Sequence, residues 1–244
     1  MTGKELDRGV WTQLRTLSKE NAEGVAQHLV MVALLLDEDP DTAMLHAQTA
    51  VRRAGRVPAA REAMGLVCYR LGDWTKALAE FRTVRRLSGS SHLLPLMVDS
   101  ERALGRYEKA LELAGSPEAK TLGRDERVEL AIVVSGIRRD LGQPEAALAG
   151  LRVPELTARG RHPWTARLAY AHAEALLAVG RADQAREAFA RAVDADDDGE
   201  TDAAERLEEL DGVVSTDLLD EPEDEQPDGQ GEEPTSARAE DERA

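Results

Sequence analysis

The sequence predicts an all-α protein: an α-solenoid of about five helix–turn–helix pairs with a lead-in helix, a C-terminal capping helix and a disordered tail. Three observations carry this. Aromatic residues make up only 3% of the 244 residues, while Ala, Leu and Arg abound. That mix suits Leu- and Ala-packed helices better than strands, which draw on aromatic and β-branched residues. One short turn pattern recurs four times at near-constant spacing. The acidity is confined to the C-terminal end.

The recurring turns are Leu71-Gly72-Asp73-Trp74-x-x-Ala77, Leu104-Gly105-Arg106-Tyr107-x-x-Ala110, Leu141-Gly142-Gln143-Pro144-x-x-Ala147 and Val179-Gly180-Arg181-Ala182-x-x-Ala185. Their glycines lie 33, 37 and 38 residues apart, and each separates two runs of helical period. A glycine there supplies the left-handed residue that stops the first helix. The residue two positions on opens the second helix, and the small Ala lets the two helices approach closely.

Residues 1–20 are expected to hold the lead-in helix. Leu6, Val10, Trp11, Leu14 and Leu17 give residues 5–17 an apolar face. Residues 21–194 form the repeat array. Its first pair is weaker in pattern: Asn21 to Leu36 carries Val25, Leu29, Val32 and Leu36 on one face, the acidic run to Pro40 ends it, and Asp41 is expected to cap the second helix. The second pair begins at Pro58. The third reaches Gly115-Ser116-Pro117 after barely two turns of its second helix. In the fourth, Pro144 opens the second helix and Pro154 breaks it. Longer connections follow at about 115–124 and 152–163. His162-Pro163-Trp164 reads as the start of the fifth pair, with Pro in the first turn and Trp as anchor.

Residues 195–214 hold an acidic loop and the capping helix, in which Ala203, Leu207 and Leu210 would cover the end of the array and Thr201 or Asp202 would be the N-cap. Residues 215–244 are rich in acid, Pro, Gly and Gln and are expected to be a disordered tail. Of the formal net charge of -16, residues 194–244 supply -19, from 22 acidic and 3 basic side chains. The rest of the chain is near neutral at +3.

The repeats resemble the tetratricopeptide repeat (TPR), a helix–turn–helix unit of about 34 residues. The likeness is best in the second pair, where Gly65, Cys68, Gly72, Trp74, Ala77 and Phe81 fall in register. The fifth follows with Ala173, Gly180, Ala185, Phe189 and Ala192. The composition, Arg over Lys with much Ala and Gly, also resembles that of actinobacterial proteins. The resemblance implies a concave groove, lined by the first helix of each pair, that receives an extended peptide or a helix. Projected onto this sequence, the groove residues are Glu62, Leu66, Tyr69 and Arg70, then His92, Asp99 and Arg102, then Arg139, then Arg167, Tyr170 and Glu174. The carboxylate-clamp type that holds chaperone C-termini is not expected. Its positions fall on Leu29, Ala33, Leu66, His92 and Leu96, of which only His92 could be cationic.

Other chemistry is not signalled. Asp194 to Glu205, DADDDGETDAAE, matches a calcium-loop pattern in its ligand positions. Position eight is Thr201 rather than a branched aliphatic, no second loop exists, and loop and cap account for the acids without an ion. No metal and no cofactor are therefore expected. There is no Gly-rich phosphate loop and no Ser or metal-protease motif. The single cysteine, Cys68, permits no intrachain disulfide and reads as a small buried hydrophobe. The most apolar run, Leu29 to Leu36, is far short of the ~20 residues of a membrane span. The expected protein is a cytoplasmic, non-enzymatic adaptor or assembly factor. Its partner would be another protein held in the groove, with no membrane involved and the oligomeric state left open. The alternative is an RNA- or ribosome-associated protein using Arg52-Arg53-x-x-Arg56, Arg85-Arg86 and Arg138-Arg139, its acidic tail limiting non-specific contacts. A net +3 over the body is no nucleic-acid footprint. A further expectation is that the tail screens Arg70, Arg102 and Arg139.

Overall fold

A computed structural model of the chain describes residues 3, 5–158 and 160–212. The disordered tail expected at 215–244 lies outside the described residues. Twelve α-helices and no strand are present among the described residues. The lead-in α1 spans Arg8–Leu14. Five pairs follow: α2 (Lys19–Leu35) with α3 (Pro40–Ala54), α4 (Pro58–Arg70) with α5 (Trp74–Ser88), α6 (Leu94–Ala103) with α7 (Tyr107–Ala114), α8 (Arg124–Asp140) with α9 (Pro144–Gly150), and α10 (Thr165–Ala178) with α11 (Ala182–Ala195). The last described helix is α12 (Ala203–Leu210). Helices within a pair lie against each other; the last three pairs stack through their first helices, α6 on α8 and α8 on α10, whereas the earlier ones join mainly through α3 on α4 and α5 on α6. This is an all-α solenoid.

The four recurring turns are the device that repeats. Gly72, Gly105, Gly142 and Gly180 have φ of 67 to 76°, the left-handed region where a Cβ is strained. At the first, Asp73 N–H donates to Cys68 C=O (2.8 Å) and Gly72 N–H to Tyr69 C=O (3.0 Å). The same six-residue closure recurs from Arg106 to Glu101, from Gln143 to Arg138 and from Arg181 to Leu176. Each turn thereby satisfies the orphan carbonyls of a helix end without borrowing from elsewhere. The alanines three residues into each second helix, Ala77, Ala110, Ala147 and Ala185, are all fully buried.

Glycine also permits a close approach inside a pair. A Cβ on Gly65 in α4 would stand 2.5 Å from a ring carbon of Phe81 in α5. Phe81 and its counterpart Phe189 in α11 are completely buried. Cys68 sits in the same layer, buried, and burial followed by the nearby Asp73 carboxylate pushes its thiol pKa up.

Several boundaries differ from those expected. α1 is shorter than residues 5–17, because Asp7 caps it by accepting from Gly9 N–H. α2 begins earlier, capped by Ser18. Asp39 rather than Asp41 caps α3, accepting from Thr42 N–H at 3.0 Å. Pro40 then takes the first helical position, where its missing N–H costs nothing. Pro163 precedes α10 instead of lying in its first turn. Trp164 is the N-cap residue, 1% exposed, and its indole N–H donates to Asp125 of α8 at 2.8 Å. The long connections contain 3-10 turns at Pro117–Thr121 and Pro154–Thr157. Asp202 is the N-cap residue of α12 but makes no capping bond with its side chain. Ala203, Leu207 and Leu210 pack onto the core of the last pair.

Candidate functional site

Ten of the eleven projected residues lie on first helices, His92 falls in the turn before α6 instead, and all but Leu66 take part in a chain of paired contacts. Nearly all bridge one repeat to the next. Arg70 meets Asp37 at 3.2 Å, both exposed. Glu62 meets His92 at 3.2 Å. The Tyr69 hydroxyl donates to Asp99, and Arg102 stands 3.6 Å from the same carboxylate. Arg102 Nε also donates to Asp140 at 2.6 Å. Arg139 pairs with Glu174, whose other oxygen takes Arg206 at 3.0 Å. Arg167 donates to Glu129 at 2.6 Å. Leu66 lies half-buried beside the second-pair core. Tyr170 packs edge-on against Phe189 with centroids 5.6 Å apart.

This pairing fixes the electrostatics. Burial first, and then the Asp99 carboxylate, push the Tyr69 hydroxyl pKa up. Burial and Asp202 do the same for Tyr170. The hydrogen bond to Glu62 raises His92, outweighing its desolvation. Desolvation raises Glu129 despite the guanidinium of Arg167 beside it. Both tyrosines therefore keep their protons near neutral pH. The face is polar and largely internally neutralised.

The expected screening targets Arg70, Arg102 and Arg139 each pair with a carboxylate, and the tail itself lies outside the described residues. Leu29, a projected clamp position, is 5% exposed and belongs to the core of the first pair. In the acidic loop, the Asp196 carboxylate accepts from Glu200 N–H (2.7 Å), Thr201 N–H (2.8 Å) and Thr201 Oγ1 (2.6 Å). A carboxylate so used closes the loop, and these bonds hold its pKa down, led by that from the Thr201 side chain. Asp197 pairs with Arg161. Among the described residues no group of three His, Cys, Asp or Glu gathers as metal ligands would.

Ser135 and Gly136 of α8 were not among the projected residues. They floor a recess of about 350 Å³ between α6, α8, α10 and residues 200–202. Gly136 is there because a Cβ would lie 2.4 Å from Arg102 Nη1. An isolated glycine inside a helical run was the available signal.

Stacked helix–turn–helix pairs with turn glycines 33 to 38 residues apart define a helical-repeat solenoid. The fold is that of tetratricopeptide-repeat proteins. A thermophilic TPR protein of Thermus thermophilus matches with TM-score 0.59 and 18% identity, over 78% of this chain and 98% of its own. The PilF protein of Pseudomonas aeruginosa matches with TM-score 0.53 and 15% identity, over 80% of this chain and 87% of its own. No protein-family model and no curated protein matches the sequence.

Proposed function

We propose that this chain is a non-enzymatic interaction scaffold that binds an extended segment or a helix of another protein along its first-helix face. A single observation carries the reading. The face from Glu62 to Glu174 is held in place by bonds that cross from repeat to repeat, so its shape is fixed before a partner arrives. A preorganised surface avoids the ordering cost of association. Tyr and Arg, the residues that dominate it, are those enriched at binding hot spots. A helical-repeat fold supports such a role in general. Among the described residues, no helix is long and apolar enough to cross a membrane.

The nucleic-acid reading is not favoured, because its arginines fall in separate places. Arg53 hydrogen-bonds Asn21, Arg138 bonds Gln143 and Arg139 is paired with Glu174, while Arg85 lies on a different recess beside α7. The test is site-specific photo-crosslinking in lysate of the source cells, with and without nuclease. A photoreactive residue at Leu66 or Ile132 should trap a nuclease-insensitive protein partner. The same probe at Arg86 or Glu187, exposed on second helices, should not. Equal trapping from both faces, or loss on nuclease treatment, would overturn the proposal.

A further inference from the structure

The recess at the C-terminal end of the first-helix face contains an imbalance that the chain of paired contacts does not resolve. Ser135, 2% exposed, has an Oγ without a hydrogen-bond partner. Arg139 Nε and Arg167 Nε are buried and likewise unpartnered, although the other ends of both guanidiniums are paired. Glu200 Oε2 stands 3.7 Å from Arg167 Nε, beyond hydrogen-bond reach. All three residues line the same recess. A buried polar group left unmade costs about 1–3 kcal/mol. Three unpartnered donors on residues that line a single recess point to an acceptor that comes from outside.

The charge around the recess decides what kind of acceptor. Arg102, Arg139 and Arg167 line it, but Asp140, Glu174 and Glu129 already pair with them. Glu200 and Asp202 also line it, Glu200 next to Arg167 and Asp202 engaged by the Tyr170 hydroxyl. With Arg206 on Glu174 and Asp99 beside Arg102, four cations face six carboxylates. An added carboxylate would meet that surplus negative charge, and an ammonium would leave the Nε–H groups without an acceptor. A neutral group that both accepts and donates matches the unpartnered donors and the neighbouring carboxylates. Its carbonyl would accept from Ser135 and the two Nε–H groups, and its N–H₂ would donate toward Glu200 and Asp202.

We infer that this recess is a subsite for a primary carboxamide, the side chain of a glutamine or asparagine, recognised by Ser135, Arg139 and Arg167 beside residues 200–202. The inference rests on the proposed groove only in assigning that side chain to a partner protein. The recess itself is tested without any partner. The probes are N-acetyl-glutamine, N-acetyl-glutamate and N-acetyl-methionine N-methylamides, which share their backbone amides and differ at the side-chain end. The readout is the ¹H–¹⁵N resonances of Arg139 Nε and Arg167 Nε in the full chain, assigned from the Arg→Lys variants.

The glutamine compound should move both resonances saturably and bind about tenfold tighter than the other two, the ratio that corresponds to about 1.4 kcal/mol. Ser135→Ala should weaken it several-fold with the helical circular dichroism unchanged. Equal binding of glutamine and methionine compounds, tighter binding of glutamate, or no shift at tens of millimolar would each overturn the inference. The series on the wild-type chain decides the matter even if the Ser135 variant folds poorly. Partner crosslinks arising only from second helices would sink the groove reading and leave this titration standing.

Discussion

The five pairs are not equal, and their inequality separates what holds the array together from what faces a partner. The second helices α5 and α11 run 15 and 14 residues, each burying a phenylalanine. Their counterparts α7 and α9 run only 8 and 7 and bury no aromatic. Yet α8 is among the longest first helices, at 17 residues. Where the second helices stop short, 3-10 turns cross the gap, and an apolar recess of about 530 Å³ lies between them and α8, lined by Ala114, Ala119, Val134 and Val153. The first-helix face continues past this interruption, because Arg102 to Asp140 and Arg139 to Glu174 tie it across both short pairs. One face tolerates truncation and the other does not.

The largest expected effect tests which pairs carry the stability. Phe189 in α11 is fully buried, packs edge-on with Tyr170 and lies under Arg206 of α12. Phe189→Ala should cost about 3–5 kcal/mol, the range for deleting a buried aromatic. Leu148→Ala in the short α9 should fall nearer about 2 kcal/mol, since its neighbourhood ends in a turn that can close over the gap. Urea denaturation followed by circular dichroism measures both. If Leu148→Ala proves the costlier, the short pairs are the anchors and the comparison is inverted.

A smaller effect should be indifferent to the comparison. The turn at Gly72 belongs to a complete pair and that at Gly142 to a short one, yet their φ values are 74 and 67° and their hydrogen bonds correspond. No heavy atom lies within 4 Å of a Cβ built at Gly142, and only the edge of Trp74 does so at Gly72. Backbone strain alone then sets the penalty. Gly72→Ala and Gly142→Ala should each lose about 1–2 kcal/mol, equal within error. A clear difference between them would show that the turns do not act as independent stops.

Those turns were the most legible part of the sequence, because a left-handed stop needs one residue type at one position. Helix starts were less so. Asp39 and Asp41 flank Pro40 with the same side chain, and only the rule that proline favours the first helical position separates them. Register placed ten of the eleven projected residues on first helices and missed His92, which precedes α6, and the pairing among them was not read. Tyr69 and Asp99, Arg102 and Asp140, and Arg139 and Glu174 are 30, 38 and 35 residues apart. Those separations approximate one repeat, so complementary side chains one repeat apart were the unread signal. Ser135 left no such trace, since an unpartnered hydroxyl is a property of the packed structure.

The smallest effect comes from histidines, and it divides by region. His28 and His46 bridge α2 and α3 with their Nδ1 atoms 2.8 Å apart. Burial, then His46 and the arginines at 53 and 52, lower the His28 pKa. Burial, then Arg191 and Arg181, lower that of His172 in α10. Both belong to long pairs. His92, at the head of the short third pair, is raised instead by Glu62. An unfolded histidine titrates near about 6.5. Below that pH the unfolded chain binds protons that His28 and His172 refuse when folded, so their contribution is full above about 6.5 and lost as the pH falls. For His92 the sign reverses: its contribution is full below about 6.5 and lost as the pH rises through its raised pKa. Amide hydrogen exchange between about pH 5.5 and 8, corrected for intrinsic rates, should show α2 and α10 loosening on the acid side and α6 on the alkaline side. Glu62→Gln should abolish the alkaline change alone, because it removes the partner that raises His92. A variant that keeps the alkaline change, or loosens α2 instead, would show that these histidines do not report the pairs in which they sit.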